Sequence, residues 1–282
     1  MSTANGGFSV LNGRGSRAGG SYIFEAVNLS ERDLIRLIDA RARAGRRSAA
    51  VRRSSVLQGM GDDCARLAAQ PGYETLVTTD FTLEDVHFRR AWHPARSVGH
   101  RALARGLSDI AAMGGEPLAA FLSLALPEET PRSWMPKRWV NDFLGGFLSL
   151  AGKFGVTLAG GDTAESPAGI FADVVVVGRV PKGRAVARSG ARPGDGIYVT
   201  GELGGSAAVL NQLRQSGASP KGKGKLAAAH FFPVPRVAAG RALAAKRLAS
   251  AMIDVSDGLS TDLWHICEES GVGALVNEHS IP

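Results

Sequence analysis

Strand-like apolar runs alternate with helical patterns along most of this chain, and that alternation constrains the fold more than any other feature. The strand-like runs lie at 74–78, 156–159, 171–180, 197–200 and 252–255. Helical patterns lie between and after them, at about 97–113, 134–153, 204–215, 236–249 and 257–269. Strands that alternate with helices are typical of proteins in which helices cover a sheet. The sequence therefore predicts an α/β (α+β) fold.

The distribution of Gly, Pro and Ser divides the chain into three segments. Residues 1–28 are rich in Gly, Ser and Asn and lack periodicity, which predicts a flexible N-terminal extension before a helix start at Ser30. Pro and Gly recur in VPKGRAVARSGARPGDG (180–196), directly after a long strand-like run, and this predicts a domain junction. We therefore expect an N-terminal domain over 29–182 and a C-terminal domain over 183–282.

Charge and cysteine content argue against several classes of protein. The net charge is +7, but residues 1–56 carry ten Arg, no Lys and four acidic residues, so the basic surplus belongs mainly to the N-terminal arm. Because no basic stripe interleaved with aromatic residues follows, nucleic acid is not an expected partner. No apolar stretch approaches the roughly 18 residues of a membrane helix. Two cysteines without a pattern, Cys64 and Cys267, and no signal peptide predict a cytoplasmic protein.

Acidic residues collect at the ends of strand-like runs or beside glycine. If these carboxylates converge, their mutual repulsion needs a cation to offset it. Oxygen-only ligands, with no His or Cys cluster, favour a hard ion such as Mg²⁺, which usually completes its coordination with water and substrate phosphates. The pattern therefore predicts a Mg-nucleotide site. The acidic positions are Asp62, Asp63, Asp80, Asp109, Asp162 and Asp254.

Local structure offers a plainer interpretation for several of these residues. The Gly-Asp-Asp triplet at 61–63 suits a tight turn. Asp109 could pair with Arg105, four residues earlier on a helix. Asp257, or the serine before it, could cap the helix that follows. Asp254 is harder to explain in this way, because it interrupts an apolar run where an unpaired carboxylate is costly.

Six motifs occur in the order found in one family of enzymes. They are GMGDDCA, TTDFTLEDVHF, SDIAAMGGEPLAAFLSLALP, LAGGDT, RSGARPGD and MIDVSDGLSTDLWHICEESGVGAL, all within residues 30–282. In this set the chain resembles the thiamine-monophosphate kinase family of the AIR synthetase-like (PurM-like) superfamily. The resemblance implies Mg²⁺-dependent, direct in-line transfer of the ATP γ-phosphoryl group to thiamine monophosphate, which gives thiamine diphosphate and ADP. It also implies a two-domain PurM-like fold, a homodimer through the N-terminal sheet domain, and several Mg²⁺ ions in the interdomain cleft.

The same resemblance implies roles for particular residues. No protein nucleophile is needed for direct phosphoryl transfer. His87, in EDVHF, lies at the position that contacts the thiamine phosphate, and a satisfied strand histidine is the alternative interpretation. The positions that resemble ATP contacts are Gly161, Asp162, Arg188 and Ser256. The positions that resemble metal ligands are Asp62, Thr78, Thr79, Asp80, Asp109, Asp162, Asp254 and Asp257, with Asp63 beside them.

Two departures from the family pattern affect what can be expected. Asp85 stands in EDVHF where the family usually has glycine, which predicts a changed loop. The chain ends at Pro282, before the family's Gly-Gly-Glu-Asp-Tyr-Glu-Leu segment, so we expect a C-terminal domain that is incomplete at its C-terminus. Two alternatives therefore stay open: another ATP-dependent enzyme of the superfamily, or a Mg-nucleotide-binding dimer without turnover.

Overall fold

The computed structural model describes residues 37–38, 40–41, 56–58, 66–67, 69–127, 137–217 and 224–282. Three sequence predictions lie outside the described residues: the extension over 1–28, the helix start at Ser30, and the placement of Asp62 and Asp63.

A four-stranded mixed sheet organises the first half of the chain. A short antiparallel pair, β1 (Val56–Gln58) and β2 (Arg66–Leu67), precedes it. The order in the sheet is β3-β6-β4-β5; β6 is antiparallel to both of its neighbours, and β4 is parallel to β5. The four strands are β3 (Tyr73–Leu83), β4 (Glu116–Pro127), β5 (Thr157–Ser166) and β6 (Phe171–Pro181).

Two long helices, α1 (Ala95–Ala112) and α2 (Lys137–Phe154), cover one face of this sheet. Leu107 and Phe147 are completely buried in the core that the helices share with the sheet. The two helices approach closely because glycine lies at the crossing. A Cβ atom at Gly99 would stand 1.9 Å from the carbonyl oxygen of Phe143, a distance that no larger residue tolerates.

The opposite face of the sheet is exposed and largely apolar; we call it the outer sheet face. Its exposed side chains alternate along β3 and β6 with buried ones that face the helices. Val77 is 66% exposed, Phe81 61% and Phe171 42%. A row of apolar side chains on one sheet face normally has a partner surface.

The second half of the chain is described as four helices and a short 3₁₀ turn (Glu278–Ser280). The first two helices enclose a small separate core of Val209, Leu213 and Phe231. No helix within the described ranges is long and apolar enough to cross a membrane. The helices are α3 (Gly205–Ser216), α4 (Lys225–Phe231), α5 (Val237–Lys246) and α6 (Leu259–Ser270).

The predicted mixed α/β architecture is confirmed, and all five helical patterns correspond to helices. The strand predictions at 197–200 and 252–255 are wrong. Neither run has a neighbouring strand in the described part of the chain to share ladder hydrogen bonds; the Met252 N–H instead bonds the carbonyl of Ala187 at 3.0 Å. The sequence also missed β4, whose run EPLAAFLSLALP is apolar on both faces and shows no clear period, and the short helix α4.

Candidate functional site

Three predicted carboxylates and one threonine meet where β3, α1 and the segment before α6 converge. The alternation of β3 points Thr78 and Asp80 towards α1, while Asp109 lies in the last turn of that helix. The Thr78 hydroxyl donates to Asp109 Oδ2 at 2.5 Å. Asp254 lies close enough to Asp109 and Ser108 to interact with both. We call Asp80, Asp109 and Asp254 the carboxylate cluster.

Burial raises the pKa of every carboxyl group in this cluster. For Asp80, burial is the largest cause; the Arg105 charge opposes it and the Asp254 charge adds to it. For Asp109, the hydrogen bond from Thr78 opposes burial and the Asp80 charge adds to it. For Asp254, the Asp109 charge is the next cause after burial. The three groups thus destabilise one another's charged forms, which is the situation that a bound cation relieves.

Arg105 contacts this cluster directly, through an acidic residue of the sheet. The alternative interpretation of Asp109 was a pair with Arg105 on the same helix. Instead, Arg105 Nη2 lies 2.9 Å from Asp80 Oδ1, across the gap between α1 and β3. Its Nη1 also donates to the backbone carbonyl of Phe81.

Two other predicted metal ligands, Thr79 and Asp162, lie on the outer sheet face. The Thr79 hydroxyl donates to Asp173 Oδ1 at 2.6 Å. Asp162 shares a row of the sheet with Ser123 and Asp173, and its carboxylate accepts the N–H of the next residue at 2.8 Å. At about 4.8 Å per strand, β5 lies roughly 14 Å from β3. The structure therefore does not bring these two side chains into the carboxylate cluster.

Gly161, a predicted ATP contact, occupies a position that only glycine fits. Its φ is +150°, and a Cβ there would stand 1.8 Å from the carbonyl oxygen of Leu122. This close approach of β5 to β4 explains the residue without any ligand. The ATP contact itself stays a prediction.

The SDG segment before α6 is held by an acidic residue that the sequence analysis did not single out. Asp262 Oδ2 accepts the backbone N–H groups of Ser256, Asp257 and Gly258 at 3.0, 3.1 and 3.1 Å, and Asp262 is only 3% exposed. The helix begins after Gly258 with no side-chain cap, so the capping role expected of Asp257 or Ser256 is wrong. An acidic residue in the first turn of a helix was the signal that could have identified Asp262.

The side chains of Ser256 and Asp257 are consequently not used in capping, and both residues are exposed. Arg188 is exposed as well, and its charge lowers the pKa of Asp254 although other causes outweigh it. Arg188 and the SDG segment therefore lie on the Asp254 side of the carboxylate cluster. In the described part of the chain, no hydrogen bond or ion pair joins Asp257 to the cluster carboxylates, and its metal role stays a prediction.

His87 lies in the turn after β3, not in a strand. Its Nδ1 accepts the backbone N–H of Leu83 at 3.0 Å, so in the neutral ring the proton is on Nε2, which can donate. Burial lowers the His87 pKa, and the charges of Arg105 and Arg101 lower it further. His87 is therefore a neutral hydrogen-bond donor near two guanidinium groups at neutral pH.

Asp85 keeps the turn around His87 in the conformation expected of glycine. Its φ is +64°, in the left-handed region that glycine favours and that Asp tolerates better than most residues. The carboxylate lies 3.7 Å from the side chain of Arg89. Asp85 thus adopts a backbone conformation that glycine also favours, and the predicted change of the loop stays a prediction.

Comparison with known proteins decides the family. Residues 61–180 match the family model for the N-terminal domain of AIR synthase related proteins, and residues 192–282 match the model for the C-terminal domain. The thiamine-monophosphate kinase of Salmonella typhimurium is 39% identical over 234 residues, which is 82% of this chain and 68% of that protein. The chain belongs to the thiamine-monophosphate kinase family. The resemblance drawn from six motifs is confirmed.

Solved structures of thiamine-monophosphate kinases share the fold described above. The crystal structure of the enzyme from Stenotrophomonas maltophilia K279a matches with a TM-score of 0.70 and 36% identity, covering 84% of this chain and 71% of that one. The complex of AaThiL with AMPPCP and TMP matches with a TM-score of 0.64 and 30% identity, covering 89% and 74%. The two-domain PurM-like fold is therefore confirmed, while the limits 29–182 and 183–282 stay a prediction.

The thiamine-monophosphate kinase family implies Mg²⁺, and the donor set of the cluster fits this ion. In the described part of the chain, no three His, Cys, Asp or Glu side chains already form a metal-binding group. The cluster nevertheless offers oxygen donors alone, and its carboxyl groups raise one another's pKa. Hard oxygen ligands with uncompensated negative charge are what Mg²⁺ prefers. Asp80, Asp109 and Asp254 are the residues that would hold it.

Proposed function

We propose that this protein transfers the γ-phosphoryl group of ATP to thiamine monophosphate, giving thiamine diphosphate and ADP. The observation that carries the proposal is the carboxylate cluster of Asp80, Asp109 and Asp254, in a chain that belongs to the thiamine-monophosphate kinase family. A related chain at 30% identity is known as a complex with AMPPCP and TMP, an ATP analogue and the acceptor. ATP is the co-substrate, and thiamine monophosphate the acceptor.

The residues divide the work of bringing two polyanions together. Mg²⁺, when bound, supplies the positive charge that lets the phosphates of donor and acceptor approach in line. The carboxylates of Asp80, Asp109 and Asp254 hold that charge in place. The acceptor oxygen belongs to a phosphate that is largely ionised at neutral pH, so it needs little help from a general base.

His87 has a binding role in this proposal. Because its Nδ1 is occupied by the Leu83 N–H, its Nε2–H is the free donor for an acceptor phosphate oxygen. Burial, followed by the charges of Arg105 and Arg101, lowers the pKa of His87, so the ring is neutral at neutral pH and donates without contributing a charge. On the donor side, we assign Arg188 and the exposed Ser256 to the phosphates of ATP.

We also propose that the active form is a cytoplasmic homodimer built on the outer sheet face. Val77, Phe81 and Phe171 expose an apolar stripe along β3 and β6, which the polar pair of Thr79 and Asp173 interrupts. Burying such a stripe against a second copy would remove apolar surface from water at about 25 cal/mol per Å². Two sheets can pack face to face in this way.

The proposal is tested by assaying thiamine diphosphate directly after incubation with Mg-ATP and thiamine monophosphate. We expect Mg²⁺- and ATP-dependent product from the wild type, and a loss of roughly 100-fold or more in Asp80→Asn and Asp254→Asn with the fold intact by circular dichroism. Asp142→Asn is the matched control, because that carboxylate is 53% exposed on α2, with only a loose contact of 3.8 Å to Arg138.

Three results would separate the alternatives. Full activity in both Asp80→Asn and Asp254→Asn would refute the site assignment. Binding of Mg-ATP without product in the wild type would favour a nucleotide-binding dimer. Turnover of ATP with a different phosphate acceptor would indicate another enzyme of the superfamily.

A further inference from the structure

We propose that Arg105 is a tethered counter-ion of the carboxylate cluster that competes with Mg²⁺ for Asp80. The inference rests on the proposed function, since it requires the divalent ion to bind at this cluster. It assigns Arg105 a positioning role: it sets how tightly the metal is held, without itself contacting the reacting atoms.

The guanidinium group of Arg105 is fixed in place by two contacts. Its Nη2 lies 2.9 Å from Asp80 Oδ1, and its Nη1 donates to the backbone carbonyl of Phe81. The backbone carbonyl cannot move away with a side chain, so it orients the planar fork towards Asp80. Asp80 is only 18% exposed on its side chain, so this ion pair is less screened by water than a surface pair.

The backbone of Arg105 cannot retreat from the cluster, which leaves side-chain motion as the way to release Asp80. The next residue, Gly106, packs so closely on β6 that a Cβ there would stand 2.6 Å from the side chain of Val176. This contact holds α1 at the level of Thr78 and Asp80. The Arg105 side chain is 40% exposed, so it has access to solvent when it leaves Asp80.

A guanidinium group and a divalent ion on the same carboxylate oppose each other. Both seek the same oxygen lone pairs, and two cations a few ångströms apart repel each other strongly in a half-buried site. By linkage, the free energy by which Arg105 weakens metal binding equals the free energy by which the bound metal weakens the ion pair of Arg105 with Asp80. Without metal, Arg105 offsets part of the repulsion among Asp80, Asp109 and Asp254.

The experiment measures binding of Mn²⁺ alone, without nucleotide, by electron paramagnetic resonance in wild type, Arg105→Gln and Arg105→Lys. We expect the tightest site to bind Mn²⁺ about tenfold more tightly in Arg105→Gln, with Arg105→Lys between the two. Arg96→Gln is the matched control: it removes the same charge from the same helix, at the end away from the cluster, and we expect its affinity to stay within about twofold of wild type.

Thermal unfolding provides a second readout that does not depend on turnover. Without metal, we expect Arg105→Gln to unfold at a lower temperature than wild type, because its cluster lacks a built-in cation. We expect saturating Mn²⁺ to raise the unfolding temperature of this variant by more than it raises that of wild type. If Arg105→Gln fails to fold without metal, the same comparison is made with Arg105→Lys, whose single ammonium cannot form the fork.

The possible outcomes separate this inference from the proposed function. Unchanged or weaker Mn²⁺ binding in Arg105→Gln, with normal binding in wild type, overturns the role of Arg105 and leaves the kinase proposal standing. Failure of the wild type to bind Mn²⁺ at all overturns both the inference and the metal site. A tenfold increase in Mn²⁺ affinity in Arg96→Gln as well would show a general charge effect and would also overturn the inference.

Discussion

At the scale of single residues, two buried histidines connect the segment before α1 to α4. His93 Nε2 lies 3.0 Å from His230 Nε2, and each residue is 3% exposed. The Nδ1 of His230 lies 2.9 Å from the hydroxyl of Ser206. Burial, followed by the nearby charge of Arg101, lowers the pKa of both rings to about 4. Both imidazoles are therefore neutral in the folded protein at pH 7.

This pair predicts a loss of stability in mild acid. In the unfolded chain the rings titrate near 6.5, so between pH 6.5 and about 4 the unfolded state binds more protons and the free energy of unfolding falls. The loss is on the order of 2–3 kcal/mol for each ring at the lower limit. Urea unfolding at pH 7.5 and pH 5 measures it. We expect the free energy of unfolding to depend less on pH in His230→Asn than in wild type. The exposed control His279→Asn should show the same pH dependence as wild type. An equal pH dependence in wild type and both variants would contradict the prediction.

Sequence spacing located some residues of the site and not others, for identifiable reasons. Asp254 was found because an unpaired carboxylate that interrupts an apolar run is costly, and Asp80 because it follows a strand-like run. The ion pair of Arg105 with Asp80 was not predicted, because helical spacing identifies only neighbours on the same helix. Asp162 was grouped with the cluster because it follows the strand-like run at 156–159, whereas β5 continues through Asp162 to Ser166 and is separated from β3 by two strands.

At the scale of elements, the start of α6 depends on one carboxylate. Asp262 accepts three backbone N–H groups and is almost completely buried, so removing its charge leaves donors of the SDG segment without a partner. We expect Asp262→Ala to lower the free energy of unfolding by about 2–3 kcal/mol, measured by urea denaturation. Glu268→Gln, an exposed acidic residue of the same helix, is the control, and we expect a change below about 0.5 kcal/mol. Equal effects would show that Asp262 does not hold the segment.

Element types were predicted best where the pattern is long and one-sided. The helical periodicity of α1 and α2 is sustained over 18 residues each, so both were identified. The runs at 197–200 and 252–255 are only four residues long. Their composition favours a strand, but the described residues contain no strand that pairs with them. Whether a short apolar run becomes a strand depends on a neighbour that local sequence does not contain.

At the scale of the whole molecule, the sheet has two faces with opposite environments. One is covered by α1 and α2, while the other presents Val77, Phe81 and Phe171 to solvent. The same face carries a shallow, mainly apolar depression between Phe81 and Phe171, with Asp162, Ser123 and Asp173 at its polar side. A second copy on this face would therefore cover the apolar stripe and lie beside Asp162, which the carboxylate cluster of its own chain does not reach.

This arrangement predicts that a charge in the middle of the stripe separates the dimer without unfolding the chain. Val77 pairs with Val177 across the sheet and is 66% exposed, so Val77→Asp leaves the helix-covered core untouched. We expect wild type to sediment as a dimer at micromolar concentration and Val77→Asp as a monomer, with association weakened at least about 100-fold because a carboxylate would be buried unpaired. Val234→Asp is the matched control, since Val234 is 63% exposed away from the sheet and the substitution should preserve the dimer. A monomeric wild type, or a Val77→Asp variant that still dimerises, would show that the outer sheet face does not join two copies of the chain.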